Sequence, residues 1–188
     1  MIKKTSIVTT CLIASALLSS CGGGGSTEPK GLTHYLAQDG APRLPADFRN
    51  DEWVHLGTWS VAPAEGQKVH QQHNTYAERS AVEAYQKTGT WPDGSTLVKE
   101  LVDVTPETMN TGFVAGGGKI SGYFVMVKSA KTPIKDTPHW GDGWYGSQFG
   151  ATDRTKNVST GWNSCRACHD PVKSTDWVFV DGYPMLER

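Results

Sequence analysis

The sequence predicts an α+β domain, mainly antiparallel β-sheet with a few short helices packed on it. Three observations carry that expectation. Pro42, Pro45, Pro63, Pro92, Pro106, Pro133, Pro138, Pro171 and Pro184 interrupt the chain, and glycine is frequent, so long helices have no room. Between these breakers lie runs rich in Val, Ile, Thr and aromatic residues. Convincing helical spacing occurs in one stretch alone, which rules out a bundle of long amphipathic helices. The sequence shows no internal repeat.

Residues 1–20 read as an export signal. Lys3 and Lys4 precede an apolar run from Ile7 to Leu18, too short to span a bilayer in the mature protein. The run closes on Leu18-Ser19-Ser20-Cys21, which looks like the lipobox of bacterial lipoproteins. Cys21 is then the lipidation site, and the membrane is reached only through that anchor. Ordinary signal cleavage is the alternative, and it would leave Cys21 as a stray thiol in an exported protein. Gly22 is not the aspartate that retains many lipoproteins in the inner membrane, so the expected address is the periplasmic face of the outer membrane. Residues 21–43 are expected to hold the lipidated cysteine and a flexible tether, its first part rich in Gly, Ser and Thr. Residues 44–188 are expected to form one domain with one core. The formal charge of −1 gives no basic surface for nucleic acid.

Within that domain, strands are expected over Trp53–Val61, Ser95–Val104, Lys119–Lys128, Trp144–Phe149 and Trp177–Val180. Pro92-Asp93-Gly94 supplies a turn before the second of these. The best helix is Glu78 to Thr88. Tyr76, Val82 and Tyr85 fall near one face, and Gly89 can serve as the left-handed stop. A short helix is expected over Asn163–Cys168.

Cys165-Arg166-Ala167-Cys168-His169 reads as a C-x-x-C-H site for covalent haem attachment. Two thiols three residues apart can each add to one vinyl group of a porphyrin. The next histidine can then ligate the iron. Half a zinc site is the weaker reading, because no second cysteine pair is present. A thioredoxin-like pair would suit a βαβ context, which is lacking here, and a plain disulfide remains possible after export. With Cys11 removed and Cys21 lipidated, haem attachment accounts for the remaining cysteines. One motif means one haem c, and one iron, per chain. Small electron-carrier cytochromes place this motif near the amino terminus with a methionine ligand well downstream. Here 19 residues follow His169, and Met185 is the sole methionine among them. The iron is therefore expected to have one vacant side.

Taken in order, further landmarks are Pro45-Ala46-Asp47-Phe48-Arg49, Trp53-Val54-His55-Leu56-Gly57-Thr58-Trp59 and Ala84-Tyr85-Gln86-Lys87-Thr88-Gly89. Pro92 to Leu101, Gly122-Tyr123-Phe124-Val125-Met126-Val127-Lys128 and Trp140-Gly141-Asp142-Gly143-Trp144 follow. Thr175 to Phe179 and Gly182-Tyr183-Pro184 come after the haem motif. In this order and spacing the sequence resembles the cytochrome P-460 family, relatives of the β-sheet cytochromes c′. The resemblance implies a β-rich homodimer with one five-coordinate haem per subunit. It implies hydroxylamine oxidation, with electrons passed to a separate redox partner, expected to be a cytochrome. It also implies a third covalent bond, from the lysine matching Lys99 to a meso carbon of the porphyrin. A sister group without that lysine binds nitric oxide and carbon monoxide instead. A plain electron carrier is the remaining alternative.

On residue pattern alone, Lys99 stands between Leu97 and Leu101 on one strand face. It is either snorkelling at a sheet edge or buried for a reason, and the resemblance favours the second. A buried Lys99 would have the lowered pKa a nucleophilic amine needs. His73 stands where the resemblance to the family's hydroxylamine oxidisers implies an arginine; it is a candidate hydrogen-bond donor or general base, with an ordinary surface strand position as the alternative. His70 is its rival. His34, His55 and His139 are expected to be structural. Trp140, Trp144 and Tyr145 are expected either to line the haem pocket or to belong to the core.

Overall fold

The computed structural model describes residues 29–132, 134 and 136–187. The expected signal segment, the expected lipidation site Cys21 and the start of the expected tether lie outside the described residues. Six antiparallel strands form one sheet in the order β1-β2-β3-β4-β6-β5. They are β1 (Trp53–Val61), β2 (Gln71–Glu78), β3 (Thr96–Met109), β4 (Gly112–Lys128), β5 (Trp140–Gly141) and β6 (Trp144–Gly150). The helices are α1 (Leu32–Tyr35), α2 (Arg79–Thr88) and α3 (Trp162–His169), and short 3-10 turns follow α3. The α+β expectation holds.

The sheet is covered on both faces. On one side α2, α3 and the carboxyl-terminal turns pack over Leu97, Met126 and Trp144. On the other, residues from Leu32 to Trp53 cover Val98, Tyr123, Val125 and Tyr145. Register explains the partition. Alternate residues of β3 face opposite sides, so Leu97 and Lys99 look one way and Val98 and Glu100 the other. Arg49 reaches the second face to pair with buried Glu100.

Helix α2 buries Ala81, Val82 and Tyr85. It ends where Gly89 adopts φ 75° and returns its N–H to the Tyr85 carbonyl at 2.7 Å, the left-handed stop expected. The Tyr85 ring then stacks on Trp91 at 4.7 Å.

Four expectations need correction. Residues 32–43 do not act as a loose tether. Tyr35 is 3 % exposed, and its hydroxyl donates to Glu78 Oε1 at 2.7 Å, so this segment closes the back of the sheet. Tyr76 is not on the α2 face; it lies on β2 and packs against Phe48. Strands β3 and β4 run well past their expected ends into a long hairpin. Pro106 is tolerated there because β2 pairing stops at Asp103, so the missing N–H falls on an open edge. Lastly, Trp177–Val180 is not a strand. Asp176 and Trp177 take φ values of 56° and 65°, and a turn replaces it.

Candidate haem-binding cleft

Glycines let α3 settle close to the sheet. A Cβ on Gly141 would run into the Trp162 ring, and one on Gly146 would lie 2.6 Å from Cys165 Sγ. Trp162 and Cys165, three residues apart, are the buried positions of α3. The Trp162 indole N–H donates to Asp142 Oδ2 at 2.8 Å, and Arg166 lies 3.6 Å from the same carboxylate. The helix is thus fixed with Cys165 inward, while Cys168 is exposed. A Gly146→Ala change must displace the thiol or the helix. We expect a loss of about 1–3 kcal/mol by overpacking and a lower yield of covalently bound haem, read by urea denaturation and by intact-protein mass.

Beside α3 lies a cleft of about 300 Å³ with mainly apolar walls. Its floor is the front face of the sheet, with Trp59, His73, Thr75, Leu97, Lys99 and Phe124. Cross-strand register brings them together, since Trp59 pairs with His73, Thr75 with Lys99, and Lys99 with Phe124. The roof is Cys165, Cys168 and His169 of α3, with Phe179 and Tyr183 behind them. The five residues singled out from sequence in this domain, Lys99, His73, Cys165, Cys168 and His169, therefore share one cleft.

His169 is oriented by its backbone surroundings. Its Nδ1–H donates to the Trp177 carbonyl at 2.6 Å, which leaves Nε2 with a free lone pair. Burial, reinforced by Lys99, lowers its pKa, against the hydrogen bond to Trp177, and favours a neutral ring. The Trp177 carbonyl reaches His169 because the chain turns left-handed at Asp176 and Trp177. The Asp176 carboxylate takes an ion pair from Lys128 at 2.6 Å, and its carbonyl accepts the Trp144 indole N–H at 3.0 Å. Trp144 thus stands behind the cleft, holding its wall. Tyr145 lies in the core of the opposite face, and Trp140 packs beside it.

Lys99 Nζ sits 4.7 Å from the centre of the Phe124 ring. Among the described residues it has no ion-pair partner. Burial lowers its pKa from the usual lysine value. Burial is also the main cause, ahead of Lys99 and His70, that lowers His73 to about 4. His70 is exposed and outside the cleft lining. His34 and His55 are exposed too, whereas His139 is buried. Thr75, Phe124, Phe179 and Tyr183 were not legible as site residues. Phe124 follows from Lys99 only once the β3–β4 register is known.

These residues fit a haem. The walls are apolar, both thiols border the space, and a neutral imidazole has one nitrogen committed to the protein and one available. A metal held by protein groups alone finds less support, because no cluster of three His, Cys, Asp or Glu ligands exists among the described residues. A family model for Cytochrome P460 matches residues 45–180. A comparison with curated proteins returns no match.

Proposed function

The chain belongs to the cytochrome P460 family, and from that premise we propose that it oxidises hydroxylamine and passes the electrons to a partner cytochrome. In this reading it is a mono-haem c protein held by lipid on Cys21 at the periplasmic face of the outer membrane, working as a homodimer. The observation that carries the reading is the placement of Lys99 in one cleft with Cys165, Cys168 and His169.

When bound, the haem supplies an iron centre able to take electrons from a small nitrogen compound and release them to an external acceptor. Cys165 and Cys168 would hold it through thioethers, and His169 would be the iron's protein ligand. Lys99 would hold it at a third point through Nζ, a role that needs a neutral amine and is favoured by burial. His73 would take a proton from the substrate; with its pKa near 4 it is deprotonated and ready at neutral pH. Trp59, Phe124 and Phe179 would keep water from the reacting face. Met185 is 46 % exposed and not among the cleft residues, so it is badly placed to act as a second axial ligand.

One observation favours a second reading, a non-catalytic binder of nitric oxide or carbon monoxide. No Asp or Glu is among the residues lining the cleft, a surface suited to uncharged diatomics. The ferrous absorption spectrum of haem-matured protein, before and after hydroxylamine, separates the two. The enzyme reading expects a red-shifted ferrous band, reoxidation in the presence of acceptor, and a Lys99 peptide co-bound to the haem peptide by mass spectrometry. An ordinary high-spin c-haem spectrum with no hydroxylamine consumption would support the binder. A low-spin spectrum with no carbon monoxide binding would point to an electron carrier.

A further inference from the structure

Gln71 and His73 lie two residues apart on β2 and so on the same sheet face. In register Gln71 stands opposite Asp103, and His73 opposite Leu101. His73 Nε2 is 2.8 Å from Gln71 Oε1. On its other side Gln71 Nε2 is 3.1 Å from Asp103 Oδ1 and 3.0 Å from Ser121 Oγ. The Ser121 hydroxyl is directed to the Leu101 carbonyl at 3.4 Å, so its oxygen is free to accept.

These partners dictate which way the amide faces. An ionised carboxylate only accepts hydrogen bonds, so the amide nitrogen must face Asp103. The hydrogen bond from Gln71 is the main cause that holds the Asp103 carboxyl below its ordinary pKa and so ionised. The amide oxygen is then left against His73, and an amide oxygen can only accept. A neutral imidazole in that position must carry its proton on Nε2, which makes Nδ1 the ring's acceptor.

We propose that Gln71, locked by Asp103 and Ser121, is a positioning residue that holds His73 as the Nε2–H tautomer and so makes Nδ1 the proton acceptor of the cleft. This rests on the reading of His73 as the group that deprotonates hydroxylamine. It also gives His73 a distinct place, because the cleft lining offers no carboxylate for the same task. The other titratable groups around His73 are Lys99 on β3 and His70 ahead of β2, with Cys165, Cys168, His169 and Tyr183 across the cleft. Burial is the main cause that disfavours the imidazolium and keeps the ring in the neutral form that has a tautomer to set.

The test is two-dimensional nitrogen–proton NMR on histidine-labelled holoprotein in its diamagnetic ferrous carbon monoxide form. Wild type is expected to show His73 as Nε2–H. Gln71→Leu should abolish that preference. Gln71→Glu should keep Nε2–H and raise the His73 titration by about one pH unit or more, because a carboxylate now faces the ring. A wild-type Nδ1–H tautomer would overturn the proposal, as would an unchanged Nε2–H ring in Gln71→Leu. These outcomes are independent of turnover. If the tautomer behaves as expected and hydroxylamine is not consumed, the oxidation reading falls and the positioning role stands. If wild type consumes hydroxylamine and Gln71→Leu leaves the ring unchanged, the positioning role falls alone.

Discussion

A Lys99→Met protein is expected to be more stable than wild type when haem-free, and to lose hydroxylamine oxidation when haem is bound. Both effects come from the same site. Lys99 is held over Phe124 inside an apolar cleft, with no ion-pair partner among the described residues. Burial lowers its pKa from the ordinary 10.5, so the folded chain binds this proton less tightly than the unfolded chain. The resulting cost is fully present below the depressed pKa. It fades as pH rises towards 10.5, since stability rises with pH wherever the unfolded state binds more protons. Methionine has similar reach and no charge to desolvate. We expect a gain of about 1–3 kcal/mol at pH 7 in urea denaturation of the haem-free protein, shrinking in alkaline buffer. In the holoprotein, the ferrous spectrum should become that of ordinary c haem. A less stable haem-free variant with an unaltered holoprotein spectrum would show that Lys99 only braces the sheet.

The parts of the fold that could be read from the sequence are those governed by local chemistry. Trp53–Val61 matches β1 at both ends, because its aromatic and branched residues are bounded by polar turns. The end of α2 was legible because Gly89 can adopt φ 75° without a Cβ penalty. Helix α3 follows from a motif that needs its residues on neighbouring turns. What was illegible depends on pairing across long sequence separations. Pro106 looks like a strand breaker until β3 is known to have an open edge there. Trp177 looks like a strand residue, yet its backbone turns left-handed, with its ring edge-on to Trp162 at 5.9 Å and its carbonyl on His169. Choosing His73 over His70 needed the β1–β2 register, which sets His73 beside Trp59. The link between Gln71 and Asp103 spans 32 residues and has no local signature.

The second large effect is expected at Asp176, which sequence alone gave no reason to single out. Lys128 Nζ and Asp176 Oδ1 are 2.6 Å apart, and the lysine side chain is only 13 % exposed. Removing the carboxylate in Asp176→Ala leaves a nearly buried ammonium unpaired. Breaking a fully buried pair from one side costs about 3–5 kcal/mol. Asp176 is itself about one-third exposed, so water can partly replace it and about 2–3 kcal/mol is the reasonable figure. Alanine at φ 56° adds about 1 kcal/mol, because its Cβ disfavours the left-handed region that Asp tolerates better. Asp176→Asn should cost less, since it keeps that backbone preference and an oxygen near the Trp144 indole N–H, now 3.3 Å from Asp176 Oδ1. Adding Lys128→Met to Asp176→Ala should recover much of the loss, because it removes the stranded charge. The same changes should reach the cleft. If the left-handed turn relaxes, the Trp177 carbonyl moves off His169 Nδ1 and the imidazole loses the hydrogen bond that orients it. In Asp176→Ala holoprotein the iron–histidine stretch in resonance Raman spectra should then fall in frequency, while the Lys128→Met rescue restores stability without restoring that frequency. If stability drops and the stretch does not move, Asp176 supports the fold alone and the turn keeps His169 in place without it.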